Sequence, residues 1–184
     1  MTIEAGPDEL FTTRAKQVDV AALADLVNSA YRGDSSRRGW TTEADLIDGT
    51  RIDAAALAEI IGSPDKAVLV LRAETGLFGC VQVEKKDAEA AYVGMLTIRP
   101  SLQGSGIGRQ LLAAAETFAR SEYGSSLTEM TVIEVREELI AWYERRGYVA
   151  TGETRPFPYN DARFGIPKAP DLKMIVMRKA LSGS

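Results

Sequence analysis

A strand-like run, Met95-Leu96-Thr97-Ile98, leads through Arg99-Pro100-Ser101-Leu102 into Gln103-Gly104-Ser105-Gly106-Ile107-Gly108-Arg109, where a helical pattern begins at once. No other stretch of the 184 residues restricts the fold so tightly. Glycine lets a backbone turn sharply and approach a ligand closely. Inside a helix each glycine costs ~1 kcal/mol against alanine. Three of them in five positions, Gly104, Gly106 and Gly108, therefore imply a backbone that has a use for them. The first turn of a helix exposes unpaired N–H groups at the positive end of its dipole, which makes a socket for phosphate or pyrophosphate. The plainer reading is a flexible turn joining strand to helix. A Walker A loop would need Gly-Lys-Ser/Thr at its end, and Gly108 is followed by Arg109 and Gln110. A GxGxxG dinucleotide fingerprint fails as well, since its third glycine falls on Arg109 or on Leu111.

Composition removes other chemistries. The chain has no histidine, so Ser-His-Asp triads, Cys-His dyads and His-ligated metals are excluded. Cys80 stands alone, which excludes an intramolecular disulfide or a CxxC motif. Catalysis is left to carboxylates, tyrosines, hydroxyls, backbone amides or water, and no metal is expected. With 22 basic and 26 acidic side chains the net charge is −4. General nucleic-acid binders are usually basic, so none is expected as a partner. A small anion at one local site stays open. Residues 1–9 lack the basic start and apolar core of a secretory signal. No apolar run approaches the ~20 residues of a membrane span. With one unpaired cysteine, the expectation is a cytoplasmic protein without a membrane partner.

Periodicity gives the outline of one domain over residues 1–184, with no repeat or linker dividing it. Residues 10–16 read as a strand. Asp19 reads as the N-cap of a helix with Leu23, Leu26, Val27, Ala30 and Tyr31 on one face. Residues 32–40 form a polar loop, and Thr42 with Asp45 predicts a capping box opening a short helix. Another short helix follows Asp53. Val68 to Leu71, Gly79 to Glu84 and Tyr92 to Ile98 predict an antiparallel meander. The glycine loop and a helix striped with Leu111, Leu112, Ala115 and Phe118 come next. Met130 to Val135 reads as a strand and 137–146 as a helix stopped by Gly147, its charges complementing the dipole. A strand at 148–152, a Pro-rich loop at 155–171 and a strand at 173–178 complete the chain. The fold class is a mixed α/β (α+β) domain with a hairpin-rich sheet.

Gln103-Gly104-Ser105-Gly106-Ile107-Gly108 resembles the Arg/Gln-x-x-Gly-x-Gly/Ala loop of the GCN5-related N-acetyltransferase (GNAT) superfamily. Leu96-Thr97-Ile98-Arg99-Pro100 resembles that family's splayed central strand. Ala141-Trp142-Tyr143-Glu144-Arg145-Arg146-Gly147-Tyr148 is similar to its Tyr-Glu-Lys-x-Gly-Phe signature. The order of elements matches over roughly residues 10–180, most specifically from 95 to 148. The resemblance implies a mostly antiparallel sheet flanked by helices and acetyl-CoA as co-substrate. It implies that Gln103, Gly104, Ser105, Gly106, Ile107, Gly108 and Arg109 hold the pyrophosphate. Leu96 and Ile98 would offer main-chain groups to the pantetheine arm, as an added strand does. Arg99 and Arg109 are candidate phosphate partners, or simply solvated. The family often has Asn seven residues before the Tyr; Arg136 stands there instead, which removes that contact.

Acetyl transfer to an amine has two proton problems: the ammonium must lose a proton, and the departing thiolate must gain one. Tyr143 sits where the family places its general acid, although Leu139, Trp142 and Tyr143 also suit a face that only packs on the sheet. With no histidine, Glu84 at the end of its strand is the candidate base, as a carboxylate whose pKa burial could raise. Its alternative is a solvated charge before a turn. Glu43 and Glu134 are rivals, and a water chain without a dedicated base is a further route. If the family fold holds, loops 31–43 and 155–171 flank the acceptor groove. Arg32, Arg37, Arg38 and Trp40 would grip a carboxylate or a ring, or form a charged surface loop. Pro156-Phe157-Pro158-Tyr159 reads as a rigid lid or a connector. The resulting expectation is an N-acetyltransferase acting on a primary amine of a small molecule or peptide. The alternative is a non-catalytic acyl-CoA sensor of the same fold. A homodimer is expected only by analogy.

Overall fold

Val68-Leu69-Val70-Leu71 is apolar throughout because both faces of its strand are covered. In the computed structural model, which describes residues 9–159, 161 and 165–182, this strand is β3 (Lys66–Ala73). Leu69 and Leu71 join the core on one side of the sheet, and Val68 and Val70 join the core on the other. The N-terminal residues 1–8 of the export-signal reading lie outside the described residues, as do 160 and 162–164 of the Pro-rich loop.

The other strands are β1 (Phe11–Arg14), β2 (Ile47–Asp48), β4 (Gly76–Lys85), β5 (Ala90–Ile98), β6 (Leu127–Ile133), β7 (Val149–Pro156), β8 (Ile166–Pro167) and β9 (Lys173–Ala180). The helices are α1 (Val20–Tyr31), α2 (Gly33–Ser36), α3 (Ala54–Gly62), α4 (Ile107–Tyr123) and α5 (Glu137–Glu144). Seven strands form one sheet in the order β1-β3-β4-β5-β6-β9-β7, and β2 pairs with β8 separately. All neighbours in the large sheet are antiparallel except β5 and β6. Helices α1 and α3 cover the face bearing Val68, Val70 and Cys80. Helix α4 covers the other face with Leu111, Leu112, Ala115 and Ala119, assisted by Tyr143 of α5. Burying each leucine side chain contributes roughly 1.5–3 kcal/mol.

Three local readings change. Thr42 and Asp45 open no helix: Thr42 Oγ1 accepts the Ala44 N–H, Asp45 pairs with Arg37, and the chain passes directly into β2. The polar loop after Tyr31 contains the one-turn helix α2. Asp19 flanks α1 without capping it, because its carboxylate accepts the Lys16 N–H and pairs with Arg72. Asp53 does cap α3, accepting the Ala56 N–H at 2.7 Å.

Candidate active site

The site begins with a break in the sheet. β5 and β6 pair only over Ala90–Tyr92 and Leu127–Glu129, and then diverge. A bulge on β5 sets two residues, Met95 and Leu96, opposite Val81 of β4. Met95 takes a left-handed φ of 52°, a conformation that costs a non-glycine residue about 1–3 kcal/mol. Its carbonyl is held by the Thr97 hydroxyl at 2.9 Å. Across the divergence the Tyr92 and Thr131 hydroxyls meet at 3.0 Å. Gly94 is required beneath that bridge, since a Cβ there would lie 2.6 Å from the Tyr92 ring.

On one side of the break is a cavity of about 790 Å³. Leu96, Ile98, Gln103, Gly104, Ser105, Gly106, Gly108 and Arg109 all line it. Ile107 does not; its side chain packs toward the core. Gly104 and Gly106 both sit at φ +85°, and a Cβ on either would meet nothing within 4 Å. Gly106 is the residue before α4, and no side chain caps that helix. Its first-turn amides are therefore left for a ligand, as a pyrophosphate requires. Gly108 has a different reason: a Cβ would press against the Trp142 ring at 3.4 Å, so its absence lets α4 and α5 approach. Trp40, Trp142, Arg145 and Arg146 add aromatic and cationic lining, with the Arg146 guanidinium 3.5 Å from the Trp142 ring centroid. These residues fit an elongated, anionic coenzyme.

Behind the break lies a second cavity of about 500 Å³, lined by Val93 to Leu96 of β5, Met130 to Ile133 of β6 and Pro156-Phe157-Pro158. Tyr31, Leu96, Leu139 and Tyr143 line both cavities, so the two meet at these side chains. Tyr143 is buried with its ring edge-on to Trp142 and Tyr148. Burial, reinforced by the neighbouring phenols of Tyr31, Tyr148 and Tyr92, pushes its pKa well above the usual tyrosine range. Among the described residues its hydroxyl has no hydrogen-bond partner. The Tyr31 hydroxyl, by contrast, donates to the Leu96 carbonyl. Burial and the charge of Glu43 raise its pKa to about 12.

The carboxylates fall differently from the sequence expectation. Glu84 lines neither cavity; it pairs with Lys66 at 3.5 Å, in register with Tyr92 on the paired part of the sheet. That position sets it apart from both cavities. Glu134 is exposed and lines neither cavity. Glu43 is in the second cavity, held between Arg32 and Arg136, the latter at 3.4 Å. Arg99 turns to Leu77 O (2.6 Å) and the Phe78 ring and lines neither cavity. Arg37 is taken by Asp45 and Asp34, and Arg37 and Arg38 are exposed and outside both cavities. Trp40 lines the coenzyme-type cavity rather than the second one.

Arg51 is a site residue outside every stretch that sequence reasoning singled out, while Tyr31 and Arg155 stand at the ends of the expected 31–43 and 155–171 loops but were given no role of their own. Tyr31 looked like one more apolar position of its helix. Nothing local marks Arg51 or Arg155, which tertiary contacts alone bring to the cavity.

An uncapped helix start thus lies beside one cavity of a split sheet, and that cavity meets a second one at shared side chains. Residues 42–158 match the family profile described as "Acetyltransferase (GNAT) domain", and the chain belongs to that family. It is accordingly an acetyl-CoA-dependent acyltransferase. Its fold is similar to that of YncA, a putative acetyltransferase from Salmonella typhimurium solved with acetyl-CoA, at 19% identity, 96% coverage of each chain and a TM-score of 0.69. A putative phosphinothricin N-acetyltransferase gives 16% identity over 95% of this chain and 100% of that one, with a TM-score of 0.70. The spermidine/spermine N-acetyltransferase SpeG from Vibrio cholerae gives 15%, 94%, 93% and 0.66 in the same order. No curated protein matches the sequence. No helix among the described residues is long and apolar enough to cross a membrane.

Proposed function

We propose that the protein transfers an acetyl group to a primary amine of a small-molecule or peptide acceptor that enters through the second cavity. The observation that carries this reading is the meeting of the two cavities at Tyr31, Leu96, Leu139 and Tyr143. Ligands entering from opposite sides bring their reactive ends together there, which is most of what a two-substrate transfer needs.

In this reading the amides of residues 104–109 hold the pyrophosphate of acetyl-CoA and Arg109 adds charge, while Leu96 and Ile98 offer main-chain groups to the pantetheine arm. The bound coenzyme supplies an activated thioester. The acceptor nitrogen forms a C–N bond as the C–S bond breaks. Of the three ammonium protons, one stays on the amide, one reaches the sulfur and one leaves to solvent. Tyr143 donates its phenolic proton to the sulfur and regains one released by the acceptor nitrogen, so the net transfer is from nitrogen to sulfur; burial keeps the phenol protonated at neutral pH. Glu43 has Arg32 and Arg136 on its carboxylate oxygens. The first deprotonation is therefore assigned to water, and the surrounding guanidiniums favour the neutral amine. The chain works as one unit over residues 1–184 and, with its lone buried Cys80, in the cytoplasm.

The test is acetyl-CoA with a library of amines, read as thiol release and as a mass gain of one acetyl group on the amine. Amine-dependent release is expected. Failure of CoA to bind, or release independent of any amine, would overturn the reading.

A further inference from the structure

The second cavity is charged against the trend of the chain. A protein of net charge −4 lines it, among the described residues, with four arginines (Arg32, Arg51, Arg136 and Arg155) and one carboxylate, Glu43. Internal pairing explains part of this. Glu43 lies between Arg32 and Arg136, and Arg155 is held by Glu129 at 2.8 Å and Glu153 at 3.3 Å. Arg136 reaches the Glu43 carboxylate only at 3.4 Å, however. Arg51 has no carboxylate partner among the described residues and lies over the Tyr31 ring, 5.8 Å from its centroid. A half-buried excess of positive charge is unfavourable unless an anion completes it.

We infer that the acceptor carries a carboxylate as well as its amine, the carboxylate being held by Arg51 and Arg136. This rests on the reading of the second cavity as the acceptor site. Tyr31 connects the two ends: Arg51 lies over its ring, and it lines the junction beside Tyr143. A carboxylate at Arg51 thus leaves the amine of the same small molecule directed at the junction. Met95, Met130, Phe157 and Met174 supply an apolar wall for the remainder. About 500 Å³ suits a small ligand of this kind. The acceptor class is therefore an apolar amino acid. A polyamine would bring like charge to the arginines, and a peptide N-terminus has an amide where the carboxylate is required.

The experiment measures acetyl-CoA-dependent thiol release with L-leucine and L-phenylalanine, each beside its own C-terminal amide, and with spermidine. The free acids are expected to exceed their amides about 10- to 100-fold in kcat/KM, the range for a charged hydrogen bond. Arg51→Gln should raise KM for the free acid by a similar factor, leaving KM for acetyl-CoA unchanged, and Arg51→Lys should restore part of it. Arg51 makes no ion pair to lose, so this variant stays folded even if Arg136→Gln does not. The inference is overturned if the amides equal the acids, if spermidine is the better acceptor, or if acetyl-CoA binds and no free amino acid serves. Failure of acetyl-CoA itself to bind overturns the transferase reading beneath it.

Discussion

The Gln103 carboxamide oxygen accepts the Trp40 N–H at 2.8 Å, while its nitrogen donates to Thr41 Oγ1 at 2.8 Å and to the Ile98 carbonyl at 3.1 Å. The side chain that opens the coenzyme loop therefore fastens it to residues 40–41 and to the end of β5. Gln103→Ala should cost about 1–3 kcal/mol in urea unfolding, from several hydrogen bonds of about 0.5–1.5 kcal/mol each. It should also raise KM for acetyl-CoA, because Trp40 loses its anchor. Gly39→Ala should act similarly, since its Cβ would lie 2.4 Å from Gln103 Oε1. Unchanged KM in both variants would separate the clamp from coenzyme binding.

Gly106→Ala tests the anion socket itself. The left-handed φ makes alanine strained by about 1–2 kcal/mol, and no neighbour clashes with the new Cβ. A drop in Tm of about 2–8 °C follows. CoA affinity by calorimetry should fall at least about 10-fold, because the methyl group projects where the backbone must approach phosphate. Wild-type affinity in the folded variant would contradict the assignment.

Tyr143→Phe separates chemistry from binding. The variant keeps the ring contacts with Trp142 and Tyr148 and loses only the hydroxyl. Turnover should drop by about 10²–10⁴-fold with CoA affinity unchanged. Full activity would show that the ring merely packs between the cavities.

These assignments divide into features written locally and features made by packing. Gly104 and Gly106 were legible because a positive φ leaves its mark in residue type. The strand β3 was legible in an unbroken apolar run, and a short helix was placed after Asp53, which the structure shows capping it. The carboxylates were not. Sequence reasoning favoured Glu84 as the base over its rival Glu43, yet β5 and β6 still pair beside Glu84, whereas Glu43 faces the gap. The Thr42–Asp45 box failed for a related reason: Arg37 occupies Asp45, and Ile47 is drawn into pairing with Pro167 across 120 residues of chain. Arg136, seen at first only as a departure from the family pattern, supplies half of the clamp on Glu43.

Glu43→Gln measures that clamp. It leaves the guanidiniums of Arg32 and Arg136 beside a neutral amide, with side chains only 4% and 11% exposed. Removing one partner from such a buried cluster costs about 3–5 kcal/mol. Denaturant unfolding should show a loss near that size. Glu43→Gln combined with Arg136→Gln should lose less than the sum of the single variants, because the second change removes a charge that the first left uncompensated.

Stability should also fall at alkaline pH in a characteristic window. Burial raises the Cys80 thiol from 9.0 to about 12, and raises the phenol of Tyr31 from 10.0 to about 12; Tyr143 and Tyr148 shift in the same direction. In each case the native state holds its proton at a pH where the unfolded chain has released it. The stabilisation is therefore fully present below pH 9 and declines as pH rises through 9 to 12, the thiol contributing first and the phenols from pH 10. Each such group adds up to about 1.4 kcal/mol per pH unit to the slope. Urea unfolding from pH 8 to 11 should show a level region followed by this decline. Cys80→Ala should remove the portion that begins near pH 9 and leave the portion from pH 10 intact. A decline of the same onset and steepness in the variant would mean that the thiol titrates alike in both states.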